Sequence, residues 1–142
     1  MEFKNKVAVI TGGGTGIGRA TAIKLAKEGC RLALVGLVKD DLKKNNVKFY
    51  SCDVTSETQV QEVFTRIGKE YGQINYLVNN AGVTKDALLV RMSEQEWDEV
   101  LDTNLKGTFL CVRETAKVMI RQRSGKIVNI ASVIGLIGNA GQ

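Results

Sequence analysis

The stretch Thr11-Gly12-Gly13-Gly14-Thr15-Gly16-Ile17-Gly18 constrains this chain more than any other. An apolar run, Val7-Ala8-Val9-Ile10, precedes it, and Ile17, Thr21, Ala22, Leu25 and Ala26 follow at helical spacing. A buried strand therefore turns directly into a helix at the glycines. Backbone N–H groups and the positive end of a helix dipole can meet a phosphate at such a junction. The strict G-x-G-x-x-G fingerprint fits no register here. The spacing that fits is T-G-x-x-x-G-x-G, on Thr11, Gly12, Gly16 and Gly18, with Thr15 and Ile17 inside it. The plainer alternative is a tight turn that serves close helix–strand packing and binds nothing, but the glycines exceed what one turn needs.

The rest of the chain alternates short Val/Ile/Leu runs with amphipathic segments. Strands are predicted over 6–11, 31–35, 47–52, 74–78 and 126–131, and a helix over 16–28 with Gly29 as its stop. Ser56 and Gln59 form a candidate capping box for a helix with the apolar face Val60, Val63, Phe64, Ile67 and Tyr71, ended by Gly72. Ser93 and Glu96 form another, with Met92 and Trp97 as its hydrophobic staple. A long helix over 104–121 is expected to bury Leu105, Phe109, Val112, Ala116, Met119 and Ile120. Between the second and third strands, 39–46 is polar and has room for two helical turns at most. This alternation predicts an α/β fold, a Rossmann-like doubly wound parallel sheet with five strands, forming one dinucleotide-binding domain over 1–142.

Composition narrows the function. Hydrophobic residues make up 44% and charged residues 25% of the 142 positions, as in soluble globular domains. No apolar run approaches the roughly 20 residues of a membrane span. The residues before the first strand leave no room for a targeting peptide, so a cytoplasmic or equally reducing setting is expected. The net charge of +5 suits either a solvated basic surface or attraction of an anionic cofactor or carrier. No basic stripe with interleaved aromatics suggests nucleic acid. Cys30, Cys52 and Cys111 are odd in number and scattered, so neither disulfides nor a metal site is expected. Histidine is absent, which excludes Ser-His-Asp and Cys-His catalysis.

In doubly wound sheets ligands lie beyond the carboxyl ends of the strands. Those ends read as the glycine turn, Gly36-Leu37, Asp53-Val54, Asn79-Asn80-Ala81-Gly82 and Ser132. Singly, each has a structural explanation: Asn104 could cap the helix that begins there, Asn79 and Asn80 could tie loops to the sheet, and Ser132 could be an ordinary strand-end serine. Together they converge on the edge where a dinucleotide would lie.

These residues resemble the short-chain dehydrogenase/reductase family over nearly the whole chain. Thr11-Gly12-x-x-x-Gly16-x-Gly18 is similar to its cofactor turn, Asp53-Val54 to its adenine-contacting pair, and Asn79-Asn80-Ala81-Gly82 to its N-N-A-G motif. Asn104 and Ser132 match its catalytic asparagine and serine. The resemblance implies hydride transfer from a nicotinamide cofactor to a carbonyl, with Ser132 hydrogen-bonding the carbonyl oxygen and Asn104 holding a water. Within the family, 80–86, 88–92 and 138–142 resemble 3-oxoacyl-[acyl-carrier-protein] reductases of fatty-acid synthesis. That implies an acyl-carrier-protein-linked or small ketone substrate and a homotetramer built partly on the long helix.

The resemblance also implies a proton-donating Tyr-x-x-x-Lys pair, its tyrosine about thirteen residues past the serine and so beyond Gln142. Tyr50, Tyr71 and Tyr76 are followed at the fourth position by Val54, Asn75 and Asn80. The domain is therefore expected to be incomplete at its C-terminal end, without its last strands, and the 142 residues alone to be inactive. The alternatives are a catalytically dead nucleotide-binding or interaction module, or a relative acting on another alcohol or ketone. For the cofactor, Gly36 stands where an NAD enzyme would place a carboxylate for the ribose, and Lys39 could reach a 2′-phosphate. Thr15 replaces the family's usual arginine, and Asp40 and Asp41 lie beyond the strand end. The expectation is NADP, with NAD possible.

Overall fold

Every residue of β1 (Val7–Thr11) is buried, and so is all of β2 (Arg31–Gly36) after its first residue. Strands buried on both faces must lie inside a covered sheet. The computed structural model describes residues 2–38 and 45–142, and in it five parallel strands form one sheet in the order β3-β2-β1-β4-β5. The others are β3 (Val47–Ser51), β4 (Tyr76–Asn79) and β5 (Lys126–Asn129). The helices are α1 (Gly16–Lys27), α2 (Glu57–Tyr71), α3 (Glu94–Leu101), α4 (Gly107–Gln122) and the short α5 (Ile134–Ile137). Lys39, Asp40 and Asp41 lie outside the described residues, as does most of the polar 39–46 segment.

Strand alternation splits the core between the two faces. Val9, Ala33 and Val35 pack with Phe64 and Ile67 of α2 and Leu110 of α4. Ala8, Ile10, Leu32 and Leu34 pack with Ala22 and Ala26 of α1 on the other face. β5 is less covered: its Ile127 and Val128 are exposed, as is Ile130 just beyond it.

Two local expectations change and one holds. Ser56 caps α2 by accepting from the Gln59 N–H, but Gln59 does not reciprocate; its Oε1 accepts from the Asp53 N–H at 2.9 Å. The box at Ser93 and Glu96 is complete. The long helix differs most. Asp102–Lys106 form a π-helical turn, α4 starts at Gly107, and its buried residues are Gly107, Leu110, Cys111, Glu114, Thr115 and Met119. Leu105, Phe109 and Ile120, expected inside, are exposed. The inner face carries Glu114, which pairs with Arg113 Nε at 3.2 Å and Lys117 Nζ at 2.6 Å. A buried charge satisfied in this way reads as a solvent position in a hydrophobicity pattern.

Candidate functional site

The order of the strands reverses between β1 and β4, so the two chain segments leaving these strands diverge and open a crevice. A set of hydrogen bonds holds its floor. Thr11 Oγ1 accepts from the backbone N–H groups of Asn80 and Ala81, each at 3.0 Å. Asn80 Nδ2 donates to the carbonyls of Thr11 and Gly12, each at 3.1 Å. Thr11 is only 2% exposed, so it shapes the crevice from beneath and does not line its surface. Gly18 fits under this clamp because it lacks a side chain: a Cβ there would lie 2.4 Å from the Gly12 oxygen and 2.5 Å from Asn80 Nδ2.

Gly16 faces the other way. Its φ of +51° favours glycine, and a Cβ on it would meet nothing within 4 Å. Thr15 is the N-cap of α1 but makes no side-chain capping bond, and the first turn contains no acidic residue. The crevice thus presents an uncapped helix N-terminus, an open backbone and the exposed Thr15, Gly16 and Ile17. Those features fit the pyrophosphate of a dinucleotide.

Two neighbouring strand ends extend the crevice. Asp53 Oδ1 accepts from the Thr55 N–H at 2.9 Å and the Thr55 hydroxyl at 2.8 Å, which fixes the carboxylate and leaves Oδ2 for a donor. Val54 fills the space that a side chain on Gly107 would need, since a Cβ there would lie 2.9 Å from Val54 Cγ2. Gly36 is buried beside the turn, and a Cβ on it would sit 3.6 Å from Gly12 Cα, an ordinary contact. Residues Gly12, Thr15, Gly16, Ile17, Gly18, Gly36, Asp53, Val54, Asn80, Ala81 and Gly82 all lie at this carboxyl edge.

On the far side of β4, Ser132 and Asn104 line one cavity of about 760 Å³, together with Lys85, Met92 and Trp97. Ser132 Oγ accepts from the Ile134 N–H at 3.2 Å, which leaves the hydroxyl proton free to donate outward. Asn104 lies in the π-turn, where it does not cap α4. Its Oδ1 accepts from the Val83 N–H at 2.8 Å and its Nδ2 donates to the Val83 carbonyl at 2.9 Å. The side-chain amide is thereby engaged on both sides with the segment that continues Asn80-Ala81-Gly82. Val83 escaped the sequence reading because it takes part through its backbone alone. The cavity wall closes where the Ala87 N–H donates to Gly141 and Gln142 Nε2 reaches the Asp86 carboxylate, contacts without any sequence signature.

Other reactive groups stay out of the cavity. Burial pushes the thiols of Cys52 and Cys111 up to about 11 and about 12, so neither is a nucleophile near neutrality. Tyr50 is raised above its ordinary value by burial and by donating to Glu70. Among the described residues no cluster of Cys, Asp and Glu could hold a metal ion, and no helix is long and apolar enough to cross a membrane.

Known proteins match this chain in sequence. The short chain dehydrogenase family model matches residues 6–142. The chain is 43% identical over 148 aligned positions to the 3-oxoacyl-[acyl-carrier-protein] reductase FabG of Staphylococcus epidermidis, covering 97% of this chain and 61% of that protein. It is 42% identical to the FabG of Thermotoga maritima, over 100% of this chain and 61% of the relative. The FabG of Staphylococcus aureus is 42% identical over 96% of this chain and 60% of its own length. The chain therefore spans about three fifths of the length of these curated relatives. With a matching family model over almost its entire length and a clamped glycine turn at the switch point of a parallel sheet, the chain belongs to the short chain dehydrogenase family.

Proposed function

We propose that the chain is the cofactor-binding part of an NADP-dependent reductase that converts a 3-oxoacyl group on acyl carrier protein to its 3-hydroxyacyl form. The observation that carries this reading is the uncapped, acid-free glycine turn clamped to Asn80 and Ala81, beside a cavity holding Ser132. Similarity to proteins named 3-oxoacyl-[acyl-carrier-protein] reductase supports the substrate. A bound nicotinamide cofactor supplies the hydride. The N–H groups opening α1 hold the pyrophosphate, and Asp53 Oδ2 accepts from the adenine amino group. Gly36 leaves room for a 2′-phosphate where a carboxylate would repel it, and Lys39 is the candidate cation for it.

Ser132 acts on the substrate. Its free hydroxyl proton donates to the carbonyl oxygen as negative charge develops there, a preorganised electrostatic role. Asn104 keeps the segment from Asn80 to Val83 in place, and its remaining Oδ1 lone pair is available to a water. No tyrosine lines the cavity. On this reading residues 1–142 bind the dinucleotide and orient the carbonyl without a tyrosine general acid, a group worth about 10²–10⁴-fold in rate. The exposed Phe109 and Ile120 of α4, with Leu105 in the π-turn before it, support self-association through that helix, and three free cysteines support a reducing, cytoplasmic setting.

The test is a titration with NADPH and NADH, following nucleotide fluorescence, with light scattering for the assembly state. NADPH is expected to bind more tightly than NADH. Equal or tighter NADH binding refutes the cofactor assignment, and no binding of either refutes the reading as a whole.

A further inference from the structure

A groove of about 350 Å³ separates α2 from α4. The residues lining it come from the middle and end of both helices, whereas the candidate site lies at their beginnings. Its floor is Phe64, Gly68 and Val118, and its rim carries Lys69, Lys117 and Arg121. Glu114 is the one acid among the lining residues, and its two oxygens are already taken by Arg113 and Lys117. Lys69 and Arg121 have no ion-pair or hydrogen-bond partner among the described residues. The groove is therefore apolar at its base and positively charged at its rim.

Gly68 is the second observation. Glycine inside a helix is disfavoured relative to alanine. Packing does not require it here, because a Cβ would meet only Val118 Cγ2, at 3.4 Å. Lys69 and Arg121 each stand in the last turn of a helix, and the helix dipole accounts for a cation there. It does not account for a bare backbone beside them in the groove wall. A glycine that its own fold does not need, lining the same groove as these two cations, fits the close approach of a ligand.

We infer that this groove is a second binding site, separate from the dinucleotide crevice, for a small phosphate monoester with a short apolar group. The phosphate lies between Lys69 and Arg121, and the apolar group rests on Gly68 and Val118. This assignment does not depend on the proposed reductase function.

The probe is butyl phosphate, titrated into ¹⁵N-labelled protein, with inorganic phosphate and sodium chloride at matched ionic strength as comparisons. Saturable shifts are expected at the amides of Gly68, Lys69, Val118 and Arg121, at lower concentrations for butyl phosphate than for inorganic phosphate. Lys69→Gln with Arg121→Gln should weaken binding at least tenfold. Gly68→Val, which fills the floor, should abolish the advantage of the butyl group. Spectral dispersion elsewhere reports in the same experiment that each variant is folded. Shifts that sodium chloride reproduces, that survive in the double variant, or that are confined to residues 12–18 overturn the assignment. The last of these outcomes would leave the dinucleotide crevice as the only anion site and would not touch the proposed function.

Discussion

Gly18→Ala is the sharpest test of how the cofactor turn is built. The new Cβ would lie 2.4 Å from the Gly12 carbonyl oxygen and 2.5 Å from Asn80 Nδ2. Neither neighbour is a flexible side-chain end: one is backbone, and the other is held by donating to Thr11 and Gly12 at 3.1 Å. Relief of the clash therefore breaks the clamp. Overpacking costs about 1–3 kcal/mol, and a part-buried donor left without its acceptor costs a further ~1–3 kcal/mol. Better helix propensity returns about 1 kcal/mol at most. The net loss is about 3 kcal/mol, a large share of the roughly 5–15 kcal/mol that stabilises a domain. With a urea slope of about 2 kcal/mol/M, the unfolding midpoint falls by about 1.5 M. The single tryptophan, Trp97, gives a fluorescence signal for the transition. Gly16→Ala is the control, because its Cβ meets nothing and only its φ of +51° is penalised, at about 1 kcal/mol. Gly16→Ala should lose dinucleotide affinity out of proportion to this small stability cost, since its Cβ projects into the crevice. A Gly18→Ala midpoint no lower than that of Gly16→Ala would refute the clamp argument.

Gly36→Asp places a carboxylate at the end of β2 without a backbone clash; NADPH affinity should fall about tenfold through repulsion of the 2′-phosphate while NADH affinity holds or rises, as read by fluorescence titration. Asn104→Ala strips the Val83 N–H and carbonyl of their partners and should cost about 1–2 kcal/mol, with faster hydrogen exchange at the Val83 amide. Asn104→Asp keeps the acceptor for that N–H and should protect the amide better than alanine does. The Ser93 backbone N–H and hydroxyl hold Glu96 below its ordinary carboxylate value, so its stabilising contribution is present above about pH 4.5 and is lost as the pH falls through the lower folded value. Glu96→Gln should flatten the decline of the urea midpoint over that range, and an unchanged decline would remove Glu96 from the account.

The strands and the glycine turn were legible in the sequence because each is specified locally. Val7-Ala8-Val9-Ile10 has no polar residue to place at a surface, and Gly16 and Gly18 stand where a side chain would be strained or would clash. Gly72 and the Ser93–Glu96 box likewise act within their own turn of chain. What stayed hidden depends on partners distant in sequence. Gln59 has the spacing of a capping box, yet its side chain is better used on the Asp53 N–H, which no residue nearer in the chain satisfies. Asn104 reaches back to Val83 through two backbone groups, and a backbone group has no residue type to recognise. Thr11 belongs to the cofactor motif but serves it from below, a distinction that only burial makes visible.

The misreading of α4 has a different cause, and it bears on function. The stripe of Leu105, Phe109 and Ile120 is a true apolar face at helical spacing, and it points to solvent. The opposite face holds Leu110, Cys111 and Met119 against the sheet, with Glu114 neutralised between Arg113 and Lys117. A helix with apolar residues on both sides is suited to burial on both sides, and a one-sided hydrophobicity pattern selects whichever face lacks the buried charge. Each exposed apolar side chain forgoes about 1.5–3 kcal/mol of transfer free energy. A chain of this family gains that energy if a second copy or a further layer of its own fold covers α4. The inner face then fixes the helix to the sheet, leaving the outer face to meet the partner. The π-turn at Asp102–Lys106 joins the two tasks to the site, because it carries Asn104, sets where α4 begins against Val54, and so ties the position of the helix to both the end of β3 and the Val83 segment.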